Sequence, residues 1–396
     1  MGHKSLAGRE RILVRTVAPT RDLVFDADEI EIGGVSSNAA LANWAQHNGK
    51  LSIALKREYP AGTSLEFRIH YSGRPTHGVS WSRTGVSALY SSDHWMVCDM
   101  APASLARLDL ELIFPAELQA AASGRGAGTR ERHGLLYSRW RQDAAVAPFV
   151  FGFAVGRMQE ATGSIGSTRL RFLSGKHSPE QMLKIFSSTQ AAVRFFEGKS
   201  GVELGPGTYT QVLTAGDPMQ ELAQMTVLPV DYGDDLEKNP SDLHLLVHEL
   251  AHQWWAVRVP CADWADFWLN EGMANFMANA FVQQQYGQEA YAKAVERDRQ
   301  IYLDTGQAGK DRALYFPAWK KPEDASGPIA YHKGAYVLHL LRQRIGDEAF
   351  WNGLREYTRG HVGKLATTQD LQRAMEQASG LSLQSFFNQW VYGGAN

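Results

Sequence analysis

Apolar and polar residues alternate in short runs from Ile12 to about Gly156. Leu51-Ser52-Ile53-Ala54-Leu55 and Leu65-Glu66-Phe67-Arg68-Ile69 are examples, and Asn48-Gly49, Pro60-Ala61-Gly62 and Ser72-Gly73 punctuate them. Period-two alternation between turn signals predicts β-strands, so this half reads as β. Beyond Gly156 the period changes. Met182, Ile185, Phe186, Ala191, Val193 and Phe195 fall at helical spacing and predict a helix over 181–196, while Tyr209 to Leu213 and Met225 to Val230 read as strands. From Ser241 onward the pattern is almost entirely helical. Ser241 is the predicted N-cap of a helix whose buried stripe is Leu243, Leu246, Val247, Leu250 and Trp254. The resulting expectation is a multidomain chain: an all-β N-terminal domain over 1–157, then a mixed α/β domain turning to α over 158–396.

Length and composition narrow the class. At 396 residues the chain exceeds one compact core, and 44% hydrophobic with 21% charged residues is an ordinary globular balance. Lys and Arg number 40 against 42 Asp and Glu, for a net charge of −2. Without a long basic run, nucleic acid and anionic lipid are not expected partners. The longest apolar run, Ala147 to Gly156, contains Pro148 and Gly152 and is far short of a membrane span, so no membrane insertion is expected. Met1-Gly2-His3-Lys4 has no apolar stretch behind it, which fits a chain made without a secretory signal or one that starts after it. The compartment, cytoplasmic or exported, is therefore open. Two cysteines, Cys98 and Cys261, leave room for a single bridge or two buried thiols.

Two glycine-bearing stretches invite a phosphate-loop reading and fail it. Ser123 to Gly128 lacks a strand-to-helix context and is expected as a flexible hairpin connection. Gly198-Lys199-Ser200 has Val193 where that motif requires glycine.

The chemistry concentrates after Ser241. In His248-Glu249-Leu250-Ala251-His252, two histidines four apart stand one turn above each other, so both imidazoles reach one metal ion. A hydrolytic zinc site needs three protein ligands and an open fourth place. Glu271, separated from His252 by 18 residues and opening the next predicted helix within Trp268-Leu269-Asn270-Glu271-Gly272, supplies a carboxylate. Glu249 then points toward the open place as a general base. A bare pair of histidines at this spacing also arises in helices with no metal; the added acid, flanked by tryptophans, favours the site. His244 shares the stripe and is expected to pack or to sit behind a ligand.

His248 to Trp255 and Trp264 to Asn275 together resemble the zinc signature of the aminopeptidase N family, the gluzincin metallopeptidases that include leukotriene A hydrolase. Tyr331-His332-Lys333-Gly334-Ala335 resembles the family's tyrosine segment. Pro148 to Gly156 resembles the closing strand of its N-terminal β domain, and Trp95 to Asp99 with Pro102 resembles a segment within that domain. The resemblance is strong from about 241 to 340 and implies a thermolysin-like catalytic domain. It also implies one zinc ion on His248, His252 and Glu271, with Glu249 as base and Tyr331 at the oxyanion. Asn270 and Asp266 would orient these groups. The implied reaction is release of N-terminal residues from a peptide substrate.

One departure bears on the substrate. Relatives carry Gly-x-Met-Glu-Asn before the zinc helix, and its Glu holds the free amino group. Pro218-Met219-Gln220-Glu221-Leu222 keeps only the Glu, at Glu221, with a solvated loop carboxylate as the rival role. An endopeptidase, or another zinc hydrolase of the same fold, is the alternative if Glu221 does not serve. A non-catalytic peptide-binding scaffold is the third reading. The β-domain partner that relatives supply is not identifiable near Tyr90 to Asp93. The chain stops at Asn396, where larger relatives continue into a helical domain, so a more open cleft is expected, one that admits longer peptides or is covered by a second copy in a homo-oligomer.

Overall fold

The computed structural model describes residues 4–216, 219–320 and 326–393; Pro218 of the sequence above, like Met1 to His3 and Asn396, lies outside them. Two three-stranded antiparallel sheets come first. In one, Ser64–Gly73 lies between Leu6–Arg15 and Ile30–Ser37; in the other, Lys50–Tyr59 lies between Thr20–Asp26 and Leu41–His47. The alternating residues Leu51, Ile53, Leu55, Leu65, Phe67 and Ile69 all face inward and form one core with Phe25, Ile30 and Val97, as the period of a strand requires. Residues 79–156 add a four-stranded sheet in the order Gln119–Ala122, Phe153–Gly156, Gly85–Ala88, Val79–Trp81. A three-stranded sheet of Arg125–Arg132, Leu135–Val146 and Ala106–Pro115 accompanies it.

The stretch Ser123 to Gly128 is not the flexible connection expected. Arg125–Arg132 pairs with Leu135–Val146, and the register shifts between Gly126 and Gly128. Gly124, at φ 86°, passes so close to the Arg141 carbonyl that a Cβ would sit 2.2 Å from it. These glycines therefore serve a close approach and a bulge. Cys98 and Cys261 are two buried free thiols.

A five-stranded mixed sheet follows in the order Gln159–Ile165, Thr168–Ser174, Gly207–Thr214, Met225–Pro229, Gln220–Leu222. Its three central strands are parallel and both edges antiparallel. Among the described residues the helices are α1 (Pro179–Ile185), α2 (Thr189–Ser200), α3 (Val230–Lys238), α4 (His244–Ala251), α5 (Trp268–Gln307), α6 (Gly334–Ile345), α7 (Asp347–His361), α8 (Thr368–Ser379) and α9 (Gln384–Phe387). A π-helical turn, Pro328–Lys333, leads directly into α6. One continuous core runs from Val79 to Val391, joining the sheets of residues 79–156 to the helices. No described helix is long and apolar enough to cross a membrane.

Two helix expectations need correction. The helix expected over 181–196 is α1 and α2, separated at Phe186, whose ring stacks on Phe172 at 4.8 Å instead of continuing the turn. The cap expected at Ser241 is absent: Ser241 bonds Asn239 through its amide and hydroxyl, and α4 starts at His244. The hydroxyl of Tyr232, on α3, accepts the free amide of Leu246 at 3.1 Å and so takes the capping role across the chain.

Candidate metal centre

α4 is buried from Leu246 to Ala251. His248, Glu249 and His252 are 5%, 4% and 1% exposed, and Leu246, Val247, Leu250 and Ala251 fill the space around them. The chain then leaves helical hydrogen bonding at His252, whose Nδ1 lies 3.0 Å from the Trp255 carbonyl. A carbonyl can only accept, so Nδ1 carries the proton and Nε2 presents a lone pair. Glu271 comes from the first turn of α5 and is 3% exposed. Asp266, just before that helix, accepts the amide and hydroxyl of Thr368 at 2.8 and 2.7 Å. It therefore anchors the start of α5 to α8. Asn270 is fully buried beside Glu271.

The three donor atoms form a nearly equilateral triangle. His248 Nε2 and His252 Nε2 are 3.1 Å apart, and Glu271 Oε2 lies 3.4 Å from the first and 3.3 Å from the second. Ligands at about 2.0–2.1 Å from a tetrahedral zinc ion are separated by about 3.3 Å. Glu271 Oε2 and Glu249 Oε2 are buried and have no hydrogen-bond partner. Lone pairs converging on a carboxylate repel unless a cation stands between them, so the residues present fit a zinc ion.

The carboxylates make the field at the triangle negative, which favours a cation there: a proton on His252, or a metal ion in its place. Burial opposes a charge on His252, but Glu271, Glu221 and Glu249 together outweigh it and push the imidazole upward. Burial likewise opposes ionisation of Glu271, yet His252 and His248 hold its carboxyl low. Burial pushes the carboxyl of Glu249 up, as Glu221 and Glu271 also do.

Glu221 belongs to this cluster. It is 7% exposed on the edge strand Gln220–Leu222, and its carboxylate lies within 4.8 Å of donor atoms of Glu249 and His252. Its own amide reaches the Glu249 carboxylate. That strand is gripped from both sides. Gln253, next to His252, donates to the Leu222 carbonyl at 2.9 Å and accepts from Gln224 at 3.0 Å. From the β-rich half, the Val150 carbonyl accepts the amide of Ala223, the Phe149 carbonyl accepts Gln220 Nε2, and the amide of Tyr90 reaches Gln220 Oε1.

Tyr331 stacks on the His248 ring, with centroids 5.6 Å apart and planes 10° from parallel. Burial, then the carboxylates of Glu271, Glu221 and Glu249, push its phenol up, so it stays protonated as a donor. Gly272 of α5 and Gly334 of α6 bring it there. A Cβ on Gly334 would stand 2.8 Å from Gly272 Cα, so the two backbones touch.

The sequence reading missed two residues. Tyr90, at φ 63°, places its hydroxyl at the Met219 amide and feels the charges of Glu249 and Glu221; no spacing rule connects a β-domain loop to α4. Asp298 is fully buried and accepts from Asn275, Asn279 and His332, at 3.2, 2.6 and 2.7 Å. Asn279 also meets His244 at 3.1 Å, and His244 stacks behind His248, as expected of a packed histidine. Asparagines four apart in the otherwise apolar stretch from Gly272 to Phe281 were the legible signal for this network.

The enclosed triangle of donor atoms beside a buried glutamate, next to a mixed sheet with helices, is an arrangement that can hold one metal ion. Residues 223–390 match the Peptidase family M1 domain. Aminopeptidase N of Lactococcus lactis subsp. lactis is 31% identical over 162 residues, 37% of this chain and 18% of that protein. Glutamyl aminopeptidase of Bos taurus is 31% identical over 157 residues, 37% of this chain and 16% of its own length. These matches span less than a quarter of the curated relatives' length. The M1 zinc metallopeptidase of Deinococcus radiodurans superimposes with a TM-score of 0.83 over 99% of this chain and 91% of that one, at 24% identity, and so shares the two-part fold. A mutant form of that protein is bound to a Tyr-Ser-Ala substrate. Over residues 223–390 the chain is thus similar to the Peptidase family M1 domain and to aminopeptidase N proteins.

Proposed function

We propose that this chain is a zinc-dependent aminopeptidase that releases N-terminal residues from peptides. The observation that carries the reading is the triangle of His248 Nε2, His252 Nε2 and Glu271 Oε2 with edges of 3.1 to 3.4 Å, bordered by an unpartnered Glu249 oxygen. His248, His252 and Glu271 would hold one zinc ion. When bound, zinc supplies Lewis-acid polarisation of the scissile carbonyl and a water of lowered pKa. Glu249 accepts the proton of the attacking water and delivers it to the departing amine, a role suited to a carboxylate whose proton affinity burial has raised. Tyr331 donates its hydroxyl to the oxyanion. Glu221 receives the substrate's ammonium group, and its support is its place beside Glu249 and His252 on a strand held from both halves of the molecule.

The division into a β domain over 1–157 and a catalytic domain over 158–396 is part of this reading, supported by the change from antiparallel sheets to a mixed sheet at Gln159. Asp266 acts by placing the start of α5 through Thr368, and Asn270, buried next to Glu271 with its amide unpartnered, is assigned to orienting the site. A peptide is the partner, in keeping with the tripeptide bound by the Deinococcus relative.

A panel of aminoacyl fluorogenic substrates, free and N-acetylated, with and without a chelator, tests the reading. Free substrates should be cleaved, acetylated ones spared, and the chelator should abolish turnover. Equal cleavage of both forms would remove Glu221 from amine recognition. Undiminished turnover in chelator would remove zinc.

A further inference from the structure

Glu29, His77 and His94, in the N-terminal sheets, bring donor atoms within 4.8 Å of one another. They come from three separate segments. Glu29 lies in the turn between Thr20–Asp26 and Ile30–Ser37, His77 follows the strand Ser64–Gly73, and His94 ends the 3-10 turn Ser92–His94. Part of the cluster explains itself as a carboxylate-capped loop. Glu29 accepts from the Thr76 amide, from Thr76 Oγ1 at 3.0 Å and from the His77 amide at 3.0 Å, and His77 Nδ1 lies 2.5 Å from its Oε1.

His94 is not explained that way. Its Nδ1 is buried without a hydrogen-bond partner, 3.6 Å from Glu29 Oε2, while its Nε2 lies 3.9 Å from Asp28 Oδ2. With the proton on Nδ1, the donor falls short of its acceptor. With the proton on Nε2, a lone pair faces a carboxylate. A divalent cation between Nδ1 and Glu29 removes both conflicts and leaves Nε2–H turned toward Asp28, the arrangement that orients metal-bound imidazoles. The His77 and His94 rings meet edge to face, with centroids 6.1 Å apart, and a cation bound there would displace the proton that His77 Nδ1 shares with Glu29 Oε1. Two imidazoles and one carboxylate suit zinc, nickel or copper better than magnesium or calcium.

We propose that Glu29, His77 and His94 form a second divalent transition-metal site, open to solvent on the side of His77, that pins three loops of the N-terminal sheets together. It stands independently of the catalytic reading. Its occupation is not needed for turnover, and its removal leaves the α4 and α5 ligands untouched.

The test is equilibrium dialysis of the full chain against free zinc, with bound metal counted, on wild type, His77→Ala, His94→Ala and His248→Ala. His77, with a side chain 76% exposed, can be truncated without threatening the fold. Wild type should saturate at two equivalents. His77→Ala should weaken one of them at least tenfold and His94→Ala should remove it, both with peptidase turnover retained. Loss in those two variants combined with full binding by His248→Ala would sustain this site and refute the catalytic one. Saturation of wild type at a single equivalent that His248→Ala abolishes, or a second equivalent of unchanged affinity in both His77→Ala and His94→Ala, would overturn the proposal.

Discussion

Glu249 is adjacent in sequence to one ligand yet has a buried oxygen with no partner, whereas Glu271 faces two ring nitrogens. In the proposed mechanism that difference separates the base from the ligand. Glu249→Gln keeps shape and removes the proton acceptor, so turnover should fall on the order of 10²- to 10⁴-fold with zinc content unchanged. Paired metal analysis and kinetics check this, and near-normal turnover would contradict it. Glu10 gives a pH dependence far from the site. Burial pushes its carboxyl up to about 8, against the opposing amide of Val97. A carboxyl raised in the fold is more protonated there than in the unfolded chain, so stability falls as pH rises from about 4.5 toward about 8. Glu10→Gln should therefore melt higher than wild type at pH 9 by a few degrees and nearly together with it below pH 4.5. Parallel melting curves at both pH values would reject this. At this scale, spacing made His248, Glu249, His252 and Glu271 readable, because they are tied to one helix and the start of the next. Tyr90 and Asp298 were not, because only the tertiary fold brings them near.

Among elements, the contact of α5 with the π-helical turn and α6 depends on Gly272 and Gly334, which let the backbones meet. His332 bonds Asp298, and Lys333 donates to Asp311 at 2.8 Å, so the turn carrying Tyr331 is held at its far end as well. Gly334→Ala inserts a methyl where there is no room and should cost about 1–3 kcal/mol. By moving Tyr331, it should lower turnover while leaving zinc affinity nearly intact. Thermal denaturation with kinetics reads both, and a loss of zinc with unchanged turnover per bound metal would contradict the assignment. Hydrophobic period predicted the strands around Leu51 and Leu65 and the stripe of α4. It did not predict the cap supplied by Tyr232 or the break at Phe186, since each depends on a partner distant in sequence. The strand through Gly126 and Gly128 was hidden because its glycines carry no pattern.

Across the whole molecule, the β-rich half does more than precede the helices. Through Val150, Phe149 and Tyr90 it fixes the edge strand that carries Glu221, while Gln253 fixes the same strand from α4. A metal ion held between α4 and α5 would therefore be linked to the fold. Zinc at 100 times its dissociation constant should stabilise the chain by about 2.7 kcal/mol, so chelation should lower the melting temperature and added zinc should restore it. A melting temperature indifferent to chelator would count against that linkage. The most direct measurement is anomalous diffraction at the zinc edge from crystals of this chain grown with zinc. The account predicts a peak about 2.0–2.2 Å from His248 Nε2, His252 Nε2 and a Glu271 oxygen. No peak there, or a peak that leaves any of the three beyond bonding distance, would contradict it.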